Sequence, residues 1–145
     1  MTDKELVSEA LEARKMAYAP YSHHAVGAAL LTKDGKVYRG CNIENAAYTP
    51  TNCAERTALF KAVSEGDREF SAIAIVGGPD NAEHLGICAP CGVCRQALNE
   101  FVDAKTFKVI LGTDDPENMK VFALSELLPL GFGPHDMVFL EDYKA

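Results

Sequence analysis

The sequence lacks any apolar stretch approaching the ~20 residues that a helix needs to cross a bilayer; the run from Ala25 to Leu31 is about one strand long. A soluble protein with no membrane partner is expected. The start, Met1-Thr2-Asp3-Lys4-Glu5, has neither the basic residues nor the apolar core of a secretory signal. Five cysteines is an odd number and does not suit a fully paired disulfide framework. A reducing, cytoplasmic setting is expected, where Cys-x-x-Cys is more often metal-binding or redox-active than a structural bridge. Positive charge is also short. The 14 Lys and Arg stand against 21 Asp and Glu, giving a formal net charge of -7, which repels a polyphosphate backbone and disfavours a nucleic-acid partner. Repeats, low-complexity stretches and linkers are missing too. The simplest reading of 145 residues is one domain, 1–145, large enough to bury roughly two thirds of its unfolded surface without disulfides. The cysteines are then not explained by stability.

Hydropathy patterning predicts the elements in turn. Thr2-x-x-Glu5 has capping-box spacing, and Leu6, Val7, Ala10, Leu11, Ala13 and Ala17 recur at helical intervals, predicting a helix over 3–17. Strands are predicted over 26–32 and 37–41, joined by an Asp34-Gly35 turn. Asn52 is the expected N-cap of a helix reaching about Glu65, ended by Gly66. A strand over 71–76, a loop over 77–89, a helix over 92–102, a strand over 107–111 and a helical turn over 125–129 complete the pattern. This order implies an α/β fold, a three-layer α/β/α sandwich around a mixed sheet of about five strands. Both Asn52-Cys53-Ala54-Glu55-Arg56 and Pro90-Cys91-Gly92-Val93-Cys94 then lie where the chain enters a helix, at the kind of sheet edge where ligands bind.

Those two segments carry the chemistry. Zinc prefers tetrahedral sulfur and nitrogen ligands, four from protein in a structural site and three in a catalytic one. Cys53, Cys91 and Cys94 supply three; Cys88 or one of the four histidines could close the site with a fourth. Helix starts favour thiolates, but three thiolates overneutralise Zn2+. Arg56, donating toward cysteine sulfur, is the expected correction, as opposed to a plain surface cation. Glu55 either reaches back to cap the helix or stands beside the metal's open position as a proton shuttle. Asn42 and Glu44 follow a strand end and share one face, suiting either sugar hydroxyls or a self-capping loop. Cys41 reads as a small buried apolar residue.

Four blocks together resemble one family. Tyr21-Ser22 followed by Val26-Gly27-Ala28-Ala29-Leu30, then Gly40-Cys41-Asn42-Ile43-Glu44-Asn45-Ala46, Cys53-Ala54-Glu55-Arg56-Thr57-Ala58 and Pro90-Cys91-Gly92-Val93-Cys94-Arg95-Gln96 resemble the small homotetrameric cytidine deaminases in order and spacing, along almost the whole chain. The resemblance implies one zinc per subunit on the three cysteines, and Glu55 moving protons in the hydrolytic deamination of cytidine and 2'-deoxycytidine. It implies that Asn42 and Glu44 hold the ribose, that the Ala54 N-H holds the pyrimidine O2, and that Tyr48 and Phe132 reach a neighbouring subunit's pocket. One position departs: His24 stands where the family usually has a phenylalanine packing on the nucleoside, which implies a looser rim that tolerates N4-modified cytidines. The rival readings are a blasticidin-type deaminase of the same fold and a non-catalytic, zinc-stabilised binding module.

Overall fold

The computed structural model of the chain describes residues 1–137. Helix α1, Asp3–Arg14, starts with the expected capping box: Glu5 N donates to Thr2 Oγ1 at 3.1 Å and Thr2 N to Glu5 Oε2 at 2.7 Å. It stops three residues short of the predicted end. Beyond Lys15 the chain leaves the helix so that Tyr18 can bridge Ile43, with Tyr18 N bonded to Asn42 O and Glu44 N to Tyr18 O.

Among the described residues five strands form one mixed sheet in the order β2-β1-β3-β4-β5: β1 His24–Thr32, β2 Val37–Cys41, β3 Phe70–Pro79, β4 Lys108–Leu111 and β5 Lys120–Ala123. Among the described strands only β3 and β4 pair in parallel, which the helix between them, α3 (Gly92–Asn99), makes possible by carrying the chain back across the sheet. Helix α2, Ala54–Ser64, connects β2 to β3, and a single turn, α4 (Leu124–Leu127), follows β5.

Strand alternation sorts the core into two layers. Ala28, Leu30, Ile73, Ile75, Val109 and Leu111 face α2 and α3, packing with Ala58, Leu59 and Leu98. Their neighbours Ala29, Ala72, Ala74, Val76 and Ile110 face α1, packing with Leu6, Val7 and Ala10. The three-layer sandwich is as expected. Small residues let the helices approach closely. A Cβ at Gly40 would lie 2.3 Å from Ala54 O and 2.5 Å from Ala58 N, so glycine here permits the start of α2 to lie directly on β2.

Three further predicted boundaries move for physical reasons. Asn52 does not cap α2; its backbone pairs with Ile43 in an antiparallel bridge, so it stays extended and Cys53 becomes the N-cap. Strand β3 runs on through Gly77, Gly78 and Pro79, read as loop, because these residues pair with Val26, Ala25 and His24. Helix α3 ends at Asn99, before the predicted 102, where the Asn99 side chain turns to donate to Phe132 O. Strand β5 had no predicted counterpart: its four residues lie on the sheet edge, too short and too exposed to show a period. Among the described residues no helix is long and apolar enough to cross a membrane.

Candidate active site and metal centre

Helices α2 and α3 lie on the same face of the sheet, and their starts meet. Cys53 and Cys91 are their N-caps, both with extended backbone, and Cys94 lies in the first turn of α3. The unsatisfied N-H groups and positive helix ends favour thiolate at these places. Cys94 N indeed donates to Cys91 Sγ at 3.4 Å. Arg95 steadies the second start by donating from Nε to Pro90 O and from Nη1 to Leu127 O.

The Sγ atoms of Cys53, Cys91 and Cys94 all lie within 4.8 Å of one another, and Cys53 and Cys91 are 3.7 Å apart. A tetrahedron with the ordinary Zn–S distance has an edge of about 3.8 Å, so the donor set fits zinc in both chemistry and spacing. Cys88 is not in this group, and no histidine joins it among the described residues. A ligand set of three cysteines suits a catalytic site better than a closed structural one.

The hydrogen bond with the Cys94 thiol, helped by Arg56 and Cys91, outweighs burial and pulls the Cys53 thiol down to about 5. Cys94 moves the opposite way, pushed up by that same bond with Cys53, by burial and by the Glu55 charge. A coordinated cation reverses this for Cys94, since a coordinating thiol is deprotonated outright. Arg56 donates from Nη2 to Cys53 Sγ at 3.2 Å; its Nε is buried with no partner among the described residues. Burial opposes its charge, but the bonds to Cys53 and Cys94 prevail and raise its pKa. Its guanidinium thus faces the cysteine sulfur and is not a plain surface cation.

Glu55 is 4% exposed, and its Oε2 accepts from Cys94 Sγ at 3.1 Å. With Asn52 drawn away from the cap position, the alternative capping-box role does not form. Burial pushes the carboxyl pKa up, opposed by a bond from its own backbone N-H and by the Cys94 thiol. A carboxyl raised in this way is suited to both taking and returning a proton.

A cavity of about 350 Å³ opens beside these groups, lined by Cys53, Ala54, Glu55 and Cys91 and also by His24, Asn42 and Glu44. Clefts of about 410 Å³ at the β1–β2 turn and about 530 Å³ near α4 are larger, but neither contains the thiol cluster; chemistry and not size marks the site. Asn42 ties down the cavity's rim, accepting from Val26 N at 2.8 Å and donating to His24 O at 2.7 Å. One Nδ2 hydrogen and further Oδ1 capacity remain. Glu44 Oε1 accepts from Tyr21 N and Ser22 N, both at 3.0 Å, and Oε2 accepts from the Ser22 hydroxyl. These bonds, the hydroxyl's first, hold Glu44 below the usual carboxylate range.

Two predicted site residues lie apart. Tyr48, 72% exposed with φ 62, packs edge-on against Tyr21 at 6.1 Å in an adjoining cleft that shares Ser22, Glu44 and Thr51 with the cavity. Phe132 does not line the cavity of its own chain; it is 58% exposed, and its carbonyl accepts from Gln96 Nε2 and Asn99 Nδ2. Conversely Ser22, Val26, Thr51, Asn52 and Ala89 line the cavity without having been singled out as site residues, and Cys88, weighed only as a fourth metal ligand, lines it too. Ser22 and Val26 sit in blocks that carry the resemblance; the rest are placed by the Ile43–Asn52 bridge and the loop before Pro90, which leave no periodic signal. Cys41 is half-buried, not buried as expected, and lies in a separate cleft beside Arg39 and Lys61.

Residues 1–111 match the family described as the cytidine and deoxycytidylate deaminase zinc-binding region. The chain is 52% identical over 137 residues to a cytidine deaminase of Halalkalibacterium halodurans, covering 94% of this chain and 98% of that protein. The crystal structure of a cytidine deaminase from Burkholderia pseudomallei superposes with a TM-score of 0.80 at 49% identity, covering 91% of this chain and all of that one. A blasticidin-S deaminase of Bacillus cereus is more distant, at 37% identity over 102 residues, 68% of this chain and 72% of that protein. With the fold and a triple-cysteine cluster fit for zinc in agreement with these matches, the chain belongs to the cytidine and deoxycytidylate deaminase family.

Proposed function

We propose that this protein hydrolyses the exocyclic C4–N bond of cytidine and 2'-deoxycytidine, consuming water and releasing ammonia and uridine or 2'-deoxyuridine. The observation that carries this reading is the buried Glu55 carboxylate on the wall of a nucleoside-sized cavity, in contact with one of three converging cysteines. Zinc on Cys53, Cys91 and Cys94 supplies a Lewis acid that lowers the pKa of water. Glu55 takes one proton of the attacking water and passes it to ring N3, then takes the remaining hydroxyl proton and delivers it to the amine, which leaves as ammonia. Arg56 withdraws charge from Cys53 and so limits the overneutralisation by three thiolates. The Ala54 N-H, in the first turn of α2, holds the pyrimidine O2, while Asn42 and Glu44 hold the sugar hydroxyls and His24 packs along the base.

Glu44 favours a nucleoside over its phosphate, because its carboxylate is kept ionised at the end of the cavity assigned to the sugar. Cytidine and deoxycytidine are expected to be deaminated, with cytidine 5'-monophosphate and blasticidin S turned over at least about 100-fold less efficiently, the discrimination an unpaired buried polar or charged contact can supply. Spectrophotometric assays of the four compounds test this, and preferential turnover of blasticidin S would favour the rival deaminase. Looser packing by the imidazole of His24 should also admit N4-alkyl or N4-acyl cytidine; the ratio of these rates to the cytidine rate should fall in His24→Phe, and an unchanged ratio removes His24 from this role.

Further, the protein acts as a cytoplasmic homotetramer, consistent with thiolates that need a reducing setting and with the exposure of Tyr48 and Phe132 as residues reaching a neighbouring subunit's pocket. Sedimentation equilibrium should then give four times the 15.7 kDa chain mass; a monomer would end the shared-site reading.

A further inference from the structure

Cys88 and His24 meet on the wall of the same cavity, with Cys88 Sγ 3.8 Å from His24 Nε2. We propose that this pair is a covalent modification site, in which the Cys88 thiol, with His24 as its base, takes a soft electrophile carried by a pyrimidine nucleoside. The nucleoside part rests on the deaminase reading above; the thiol–imidazole pair does not.

Cys88 is free for such a role because the three sulfurs that converge for the metal do not include it. Its position is fixed from two sides. Glycine at position 77 lets the thiol lie against β3, since a Cβ there would come within 2.9 Å of Cys88 Sγ. Upstream, Asp114 pins the same loop, accepting from Leu85 N at 2.7 Å and contacting His84 Nδ1 at 2.8 Å. A neutral imidazole that accepts the S-H at Nε2 carries its own proton on Nδ1, so Nε2 is open to receive the thiol proton. The other nucleophiles are committed or elsewhere: the Ser22 hydroxyl donates to Glu44, and Cys41 lies in a different cleft.

Burial, reinforced by the Glu55 charge, raises the Cys88 pKa, so a reagent free in solution meets a thiol and not a thiolate. An electrophile held in the cavity gains the effective concentration of an intramolecular reaction and has His24 as the local base. With a chloroacetamide, the Cys88 sulfur attacks the CH2 carbon. The C–S bond forms as the C–Cl bond breaks, chloride leaves with the bonding pair, and the thiol proton passes to His24 Nε2.

The test treats the zinc-loaded protein with 5-(2-chloroacetamido)uridine and, separately, with chloroacetamide, followed by intact mass, peptide mapping and zinc analysis. The expected result is one adduct per chain on Cys88, formed at least roughly 100-fold faster with the nucleoside reagent, slowed by excess uridine and slowed roughly tenfold in His24→Phe. Cys88→Ser should take no adduct there, and zinc content should not change. Labelling of Cys41 or the zinc ligands instead, or Cys88 labelling indifferent to His24→Phe, overturns the proposal. Uridine production from cytidine is read on the same preparation. Turnover without Cys88 labelling overturns the modification site alone. His24-dependent labelling at equal rates by both reagents, with no turnover, supports the pair and overturns the deaminase reading.

Discussion

Glu55→Gln is expected to lower cytidine turnover by about 10²–10⁴-fold, the usual contribution of a positioned general acid–base group, while each chain keeps one zinc. The substitution preserves shape at a position 3.1 Å from Cys94 Sγ, and its amide NH2 can donate to that sulfur once the metal has displaced the thiol proton. Only the capacity to gain and lose a proton disappears. The position is 4% exposed, so bulk water is poorly placed to substitute for the lost shuttle. Zinc analysis and a uridine-production assay on the same sample separate the readings. Full zinc with little turnover is the enzyme's signature. Full zinc with undiminished uridine production would remove Glu55 from the shuttle role, full zinc with no uridine production even from the wild type would return the chain to a binding module, and loss of zinc would make Glu55 a structural support of the cluster.

Much of this site was legible because its signals are local. Cys91 and Cys94 are three residues apart at a helix start, and Arg56 lies three residues after Cys53, a spacing that puts its guanidinium back over the N-cap sulfur. The two layers of the core follow from alternation within β1, β3 and β4. What sequence could not give depends on pairing between distant segments. Asn52 has the chemistry of a cap, and only the bridge to Ile43 takes it out of that role. Gly77-Gly78-Pro79 has the composition of a turn, and only its partners at the start of β1 make it a strand. Cys88 suffers the same fate: nothing in its own neighbourhood in sequence announces His24, 64 residues away.

The metal ligands themselves should separate when each is changed, although every variant loses zinc. Cys91 is an exposed N-cap of α3, and serine is among the best N-cap residues, so Cys91→Ser is expected to fold well, to bind no zinc tightly and to deaminate cytidine at background level. Cys94 is buried against the Glu55 carboxylate. Cys94→Ala leaves that carboxylate without its thiol partner, and should cost about 1–3 kcal/mol beyond the loss of the metal, the price of an unsatisfied buried acceptor. Chelation of the wild type provides the reference: for free zinc at a thousand times Kd, removing it should lower stability by about 4 kcal/mol without unfolding the chain, because the two core layers do not depend on the ion. Urea unfolding of chelated wild type, Cys91→Ser and Cys94→Ala checks the order. Equal stability of the first two, with the third lower, is the expected result. Collapse of the chelated wild type would mean that the sandwich needs zinc to fold, and would move the ion from the chemistry to the architecture as well.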